Sequence, residues 1–186
     1  MKKYIFTAFL FLLFISSYSQ EKKEIQNFKR NELKINAPFL VAGALEIDYE
    51  KLLNEESGVG VSVFLGLDNE IDKKFSVAPY YRFYFGKKPA AGFFVDGFGM
   101  FNISKPEPYL YSYYDPALGY YNYKSAPETT ITDFALGFSI GAKWITTRGF
   151  IFELKSGIGR NLFDKKNDFY NNEIVFNGGL NIGYRF

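Results

Sequence analysis

The residues of this chain with the widest chemical reach are charged ones set between apolar neighbours at a spacing of two. Glu46, Asp48, Glu50, Asp96, Asp133 and Glu153 stand in such positions, and so do Arg82, Lys143, Lys155 and Arg185. In extended chain that spacing sends all of them to one face of a sheet. Gathered inside a narrow barrel, they could be a structural ion-pair network, a carboxylate pair for general acid–base chemistry, or the lining of a selective pore. The two signs nearly balance. An unpaired ion in a dry interior costs several kcal/mol, so the expected arrangement is the ion-pair network, with no catalytic residue assigned.

A second group is aromatic. Tyr109, Tyr111, Tyr113 and Tyr114 precede Asp115-Pro116-Ala117-Leu118-Gly119, and Tyr120, Tyr121 and Tyr123 follow it. The Pro and Gly offsets suit a turn closed by a left-handed glycine, so the two halves are read as a hairpin that extends the fifth and sixth strands above the membrane, with tyrosines meeting across it. Tyrosine offers large amphipathic contact area at low entropic cost, which makes this loop a candidate recognition surface. The same rings would also serve at a lipid interface or over the mouth of a barrel.

Other chemistry is excluded or weak. The chain has no Cys and no His, which removes disulfides, Cys- and His-based metal sites and every hydrolase that needs a histidine base. Asp68, Glu70 and Asp72 lack the glycine and distal glutamate of a helix-loop-helix calcium site and read as solvated charge. Gly97-Phe98-Gly99 and Gly157-Ile158-Gly159 fall within strands rather than before helices, so they are lumen or packing glycines and not phosphate loops. The net charge of +2 gives no reason to expect nucleic acid. No metal or other cofactor is expected.

The elements that must position these residues are strands. Period-two alternation runs through the chain, and past the first residues no apolar run is long enough for a transmembrane helix. Eight strands are predicted. The first spans about Glu32 to Phe39. The second sets Leu45, Ile47 and Tyr49 against Glu46, Asp48 and Glu50, and the third sets Val59, Val61, Val63 and Leu65 against Gly60, Ser62 and Phe64. The fourth turns Phe75, Val77, Tyr81, Phe83 and Phe85 away from Ser76, Ala78, Tyr80 and Arg82. The fifth holds Phe93 and Val95 against Asp96. The sixth alternates from Asp133 to Trp144, and the seventh sets Phe150, Phe152, Leu154 and Ile158 against Glu153, Lys155, Gly157 and Gly159. The eighth runs from Ile174 to Phe186, with Tyr184 and Phe186 as an aromatic terminal assembly signal.

Connections alternate in length as well. Leu53 to Ser57, Gly86 to Ala90 and Ile145 to Gly149 are short, whereas Asp68 to Lys74, Asn102 to Thr130 and Asn161 to Asn172 are longer. Tight turns at one rim and long loops at the other are the pattern of outer-membrane barrels. The join around Pro38 to Gly43 is short for an outer loop, so a hairpin and a kinked single strand are both open there.

Alternation does not by itself decide which face is out, because a lipocalin-like soluble barrel alternates equally well around an apolar cavity. Here the polar face is crowded with Gly, Ala and Ser, which a narrow lumen needs and a soluble surface does not. Aromatic content is 20%, and the apolar face is rich in Phe with Tyr or Trp near strand ends, as lipid demands. The expected fold is an all-β, eight-stranded, antiparallel up-and-down transmembrane β-barrel over residues 31–186. Residues 1–19 read as a cleaved signal peptide, with Lys2 and Lys3 before an apolar stretch and Ser17 and Ser19 at the cleavage positions. Residues 20–30 read as a periplasmic lead-in.

Four segments carry a resemblance. Leu33-Lys34-Ile35-Asn36, Leu45-Glu46-Ile47-Asp48-Tyr49-Glu50, Pro79-Tyr80-Tyr81-Arg82-Phe83-Tyr84-Phe85 and Gly179 to Phe186 resemble the small outer-membrane β-barrel proteins of Gram-negative bacteria, a group of uncharacterised function. The architecture is similar to the eight-stranded barrels of the outer membrane protein A and X type. The resemblance implies outer-membrane location, contact with outer-membrane lipid and lipopolysaccharide, and passage through the barrel-assembly machinery. Of activity it implies almost nothing; the role read from the whole chain is structural or surface-recognition without catalysis, with any extracellular ligand unidentified. A histidine-independent lipid-modifying enzyme, a small-solute pore and a soluble ligand-binding barrel are the alternatives.

Overall fold

The computed structural model describes residues 29–163 and 173–186. The segment read as a signal peptide, most of the one read as a lead-in and part of the loop after Asn161 lie outside the described residues. The described strands are β1 (Asn31–Asn36), β2 (Ala44–Leu52), β3 (Ser57–Gly66), β4 (Lys73–Tyr84), β5 (Gly92–Ser104), β6 (Leu110–Asp115), β7 (Tyr120–Ser125), β8 (Ile131–Ile145), β9 (Phe150–Asn161), β10 (Ile174–Phe176) and β11 (Gly179–Arg185).

Each barrel strand pairs antiparallel with its neighbours, and the sheet closes on itself. The order β1-β2-β3-β4-β5-β8-β9-β11 returns to β1, with β9 bonded to both β8 and β11 and β1 facing β11 from Glu32–Arg185 to Asn36–Asn181. β10 continues the last strand along β9, so the wall is an eight-stranded antiparallel barrel. Closure leaves no open strand edge, which is what a membrane requires of a sheet, since hydrocarbon offers no partner to a bare N–H or C=O.

Three local features depart from the sequence expectation. The first strand ends at Asn36 rather than Phe39, because a one-turn helix, α1 (Ala37–Val41), takes over. Proline in the first turn suits a helix start, having no N–H to satisfy there. The join is therefore a hairpin connection, and Ile35 faces Ile47 on the antiparallel partner β2. The last strand is interrupted at Asn177 and Gly178 instead of running unbroken from Ile174. The tyrosine segment does not extend β5 and β8. Instead β6 and β7 form a separate two-stranded sheet joined by the turn at Asp115–Gly119.

The wall has inverted polarity. Along β8, Leu136, Phe138, Ile140 and Trp144 are exposed outward, while Asp133, Ala135, Ser139 and Lys143 are buried inward. β2, β4, β9 and β11 repeat this, with Ile47, Phe83, Phe152 and Ile182 outside and Asp48, Arg82, Glu153 and Asn181 inside. Soluble proteins bury their aliphatic and aromatic side chains and expose their charges. A wall that does the reverse along these strands matches lipid as its solvent.

Candidate functional site: the filled lumen and the tyrosine hairpin

The lumen is packed in three layers. At the short-turn rim Leu52, Tyr84, Ala90 and Phe94 form an apolar cluster. Toward the long-loop rim Ala78, Tyr80, Phe98, Met100 and Ala135 form a second, with Val175 packed against it and the buried Asn102, Asp133 and Asn161 beyond. Between them lies a connected ionic layer. The Lys34 ammonium stands 2.9 Å from both Glu50 Oε2 and Glu153 Oε2 and 3.0 Å from Asp48 Oδ1. The Arg82 guanidinium reaches Glu153 at 2.7 Å and Glu50 at 3.2 Å through Nη1, and Asp96 at 2.8 Å through Nη2. Lys143 bonds Glu32 and Glu50, and Arg185 holds Glu32 at 2.6 Å.

Aromatic side chains wrap this layer. The Arg82 guanidinium lies 3.7 Å from the Phe94 ring centroid and 4.8 Å from that of Tyr80, so its faces are covered while its edges bond carboxylates. Tyr80 donates its hydroxyl to Asp48 at 2.8 Å, and Tyr84 donates to Glu50. Gly60 makes the room for Tyr80, since a Cβ there would come within 2.3 Å of the ring. At the short-turn rim, Arg185 donates to the carbonyls of Pro89 and Ala90, drawing the β4–β5 turn over the mouth. Eight strands leave an interior just wide enough for side chains, and these fill it.

Of the lumen residues picked from the sequence, Asp48, Glu50, Arg82, Asp96, Lys143, Glu153 and Arg185 meet in this network. Glu46, Asp133 and Lys155 point inward but make no ion pair among the described residues. Glu46 accepts from Asn36 at 2.7 Å and from Ser62 at 3.0 Å. Asp133 accepts from the backbone N–H groups of Phe134 and Phe163. The Lys155 ammonium lies 5.7 Å from the Tyr80 ring centroid. Sequence reasoning missed Glu32 and Lys34. The signal was present, because Leu33 and Ile35 alternate with them and face outward. Gly157 belongs to a strand with its neighbours Glu153 and Lys155 inside, whereas Gly97 lies on the outer face with Phe93.

The tyrosine hairpin stands beyond the long-loop rim. Tyr114 faces Tyr121 across the ladder, their rings edge to face at 5.5 Å, and Asp115 faces Tyr120. The Asp115 carbonyl accepts from the Gly119 N–H at 2.9 Å, and Gly119 closes the turn at φ +74°, a conformation that suits glycine. Ser112 and Tyr123 share the face of Tyr114, while Tyr113 stands opposite Asn122 on the other face, and Tyr111 opposite Lys124. Tyr109 bonds through its carbonyl to the Ala126 N–H, closing the base of the hairpin. Tyr184 and Phe186 lie exposed on the outer wall, where the Tyr184 ring meets that of Phe150 at 5.6 Å.

Closed antiparallel wall, filled ionic lumen and apolar exterior together define the fold of an outer-membrane β-barrel. In comparison with solved structures, the chain is similar to the N-terminal β-barrel domain of Pseudomonas aeruginosa OprF, with a TM-score of 0.58 and 12% sequence identity over 87% of this chain and 100% of that one. At that identity the likeness is one of fold. No protein-family model matches the sequence, and no curated protein matches it significantly.

Proposed function

We propose that this chain is an integral outer-membrane β-barrel with a structural or surface-recognition role and no catalysis of its own. A signal peptide over residues 1–19 directs its export. The short turns and the strand ends at Asn31 and Phe186 face the periplasm, and the β6–β7 hairpin faces outward, where its tyrosines meet an extracellular ligand or the saccharide surface of lipopolysaccharide. Tyr184 and Phe186 form the aromatic strand that the barrel-assembly machinery receives.

One observation carries this reading: apolar side chains cover the outside of a barrel that holds an ion-pair network within. The carboxylates that would serve a lipid-modifying enzyme or a pore are engaged in the ion network or in hydrogen bonds. The test has two arms. Heat-modifiable migration on a detergent gel, with partitioning into the outer-membrane fraction, reports the barrel. Excision of Tyr109 to Tyr123 is expected to leave that migration intact while abolishing surface adhesion. A hairpin-deleted protein that adheres as before would remove the recognition role.

A further inference from the structure

We infer that the short-turn rim is a basic collar that gathers anionic phospholipid headgroups. The inference rests on the membrane orientation proposed above. Lys29, Arg30, Lys51, Lys87, Lys88 and Arg148 all lie at this rim, and all are exposed. None of them makes an ion pair among the described residues, and of the described acidic side chains exposed at this rim Glu55 and Glu56 oppose them in charge. They are spread around the circumference: before β1, at the end of β2, on the β4–β5 turn and on the β8–β9 turn. The opposite rim differs. Asp68, Glu70 and Asp72 share one loop there with Lys73 and Lys74 beside it, the Lys74 ammonium bonds the carbonyls of Asp68 and Asn69, and Lys105 and Arg160 are paired with Glu128 and Glu173.

A second, independent feature sets the depth of the collar. Among the described residues, every outward-facing tyrosine and tryptophan of the barrel wall lies toward this same rim: Tyr49, Tyr81, Trp144 and Tyr184. Such rings settle at the level of lipid headgroups. Lys51 follows Tyr49 on the same outward face, and the Lys29 ammonium lies 5.5 Å from the Tyr184 ring centroid. The cations therefore stand one step beyond the aromatic belt, at the depth of lipid phosphates. Long basic side chains there lay their stems on the apolar wall and present their charge to the headgroup layer.

Trp144 is the single tryptophan of the chain and points outward at this rim, which makes it the reporter. The full chain is folded into phosphatidylcholine vesicles containing a minor fraction of either brominated phosphatidylglycerol or brominated phosphatidylcholine. At equal mole fraction, the anionic lipid should quench Trp144 about threefold more steeply, reflecting its enrichment beside several unpaired cations. The excess should vanish at high salt, and in the variant carrying Lys51→Gln, Lys87→Gln, Lys88→Gln and Arg148→Gln. Equal quenching by the two lipids, or an excess that survives both salt and substitution, would overturn the collar while leaving membrane insertion intact. Absence of quenching by either lipid would overturn the insertion reading and the collar with it.

Discussion

Arg82 and Glu153 stand 71 residues apart in the chain and 2.7 Å apart across the lumen, Nη1 to Oε2, with both side chains fully buried. The pair joins β4 to β9 through the centre of the barrel. It shares Glu50 and Lys34 with the rest of the ionic layer, and Arg82 is also the cation that pairs Asp96.

Removing one partner of such a pair upsets the balance of buried charge, and without Arg82 the Asp96 carboxylate loses its paired cation. Arg82→Ala or Glu153→Ala is therefore expected to destabilise the folded barrel by about 3–5 kcal/mol, read as urea unfolding of the detergent-solubilised protein. The double variant should lose less than the sum of the two, because the partners are coupled. Additive losses would show that the two side chains do not act together.

Outer and inner positions of one strand should respond differently to substitution. Phe138 lies midway along β8 and points out, and Ser139 beside it is buried. Phe138→Arg should cost about 2–4 kcal/mol in a bilayer, the penalty for a cation at mid-depth on a lipid face. Ser139→Ala should cost no more than about 1 kcal/mol, because it removes only a hydroxyl. Equal tolerance of both changes would contradict the assignment of faces.

The contrast between these two residues shows what was legible in advance. In β8 the alternation from Asp133 to Trp144 has no competing signal, and every face assignment holds. The one-turn helix α1 was not legible, because Ala37–Val41 is too short to show a helical period and its neighbours alternate well enough to absorb it. The break at Asn177 and Gly178 is hidden for a similar reason, since the apolar period resumes in phase after it. In the lumen, alternation tells which side chains point inward but not at what depth they meet. Depth follows from the stagger between strands, which puts Lys34 beside Glu153, 119 residues away, and leaves Glu46 with Asn36 and Ser62. Side-chain spacing within a strand carries no information about that stagger.

The hairpin should be separable from the wall. Gly119→Val places a branched residue at a left-handed position, at a cost of roughly 1–2 kcal/mol. Hydrogen exchange of the β6–β7 amides should speed up, while the barrel amides and the unfolding midpoint stay unchanged. A matching loss of barrel stability would mean that the hairpin is part of the wall's cooperative unit.

Two apolar clusters and an ionic layer occupy the lumen, as the narrow interior of eight strands allows. Purified protein in planar bilayers is expected to give a featureless current trace with no discrete conductance steps. Reproducible single-channel events would show that the layers part.

The most direct test concerns the direction of the apolar side chains. The chain has no Cys, so a nitroxide can be placed at one chosen site through Leu136→Cys, Phe138→Cys or Ile140→Cys. In vesicles each label is expected to be accessible to oxygen and shielded from a water-soluble nickel chelate, as lipid-facing sites are. Labels that meet the nickel chelate as freely as a solvent-exposed site does, in a protein that stays folded without detergent, would contradict it.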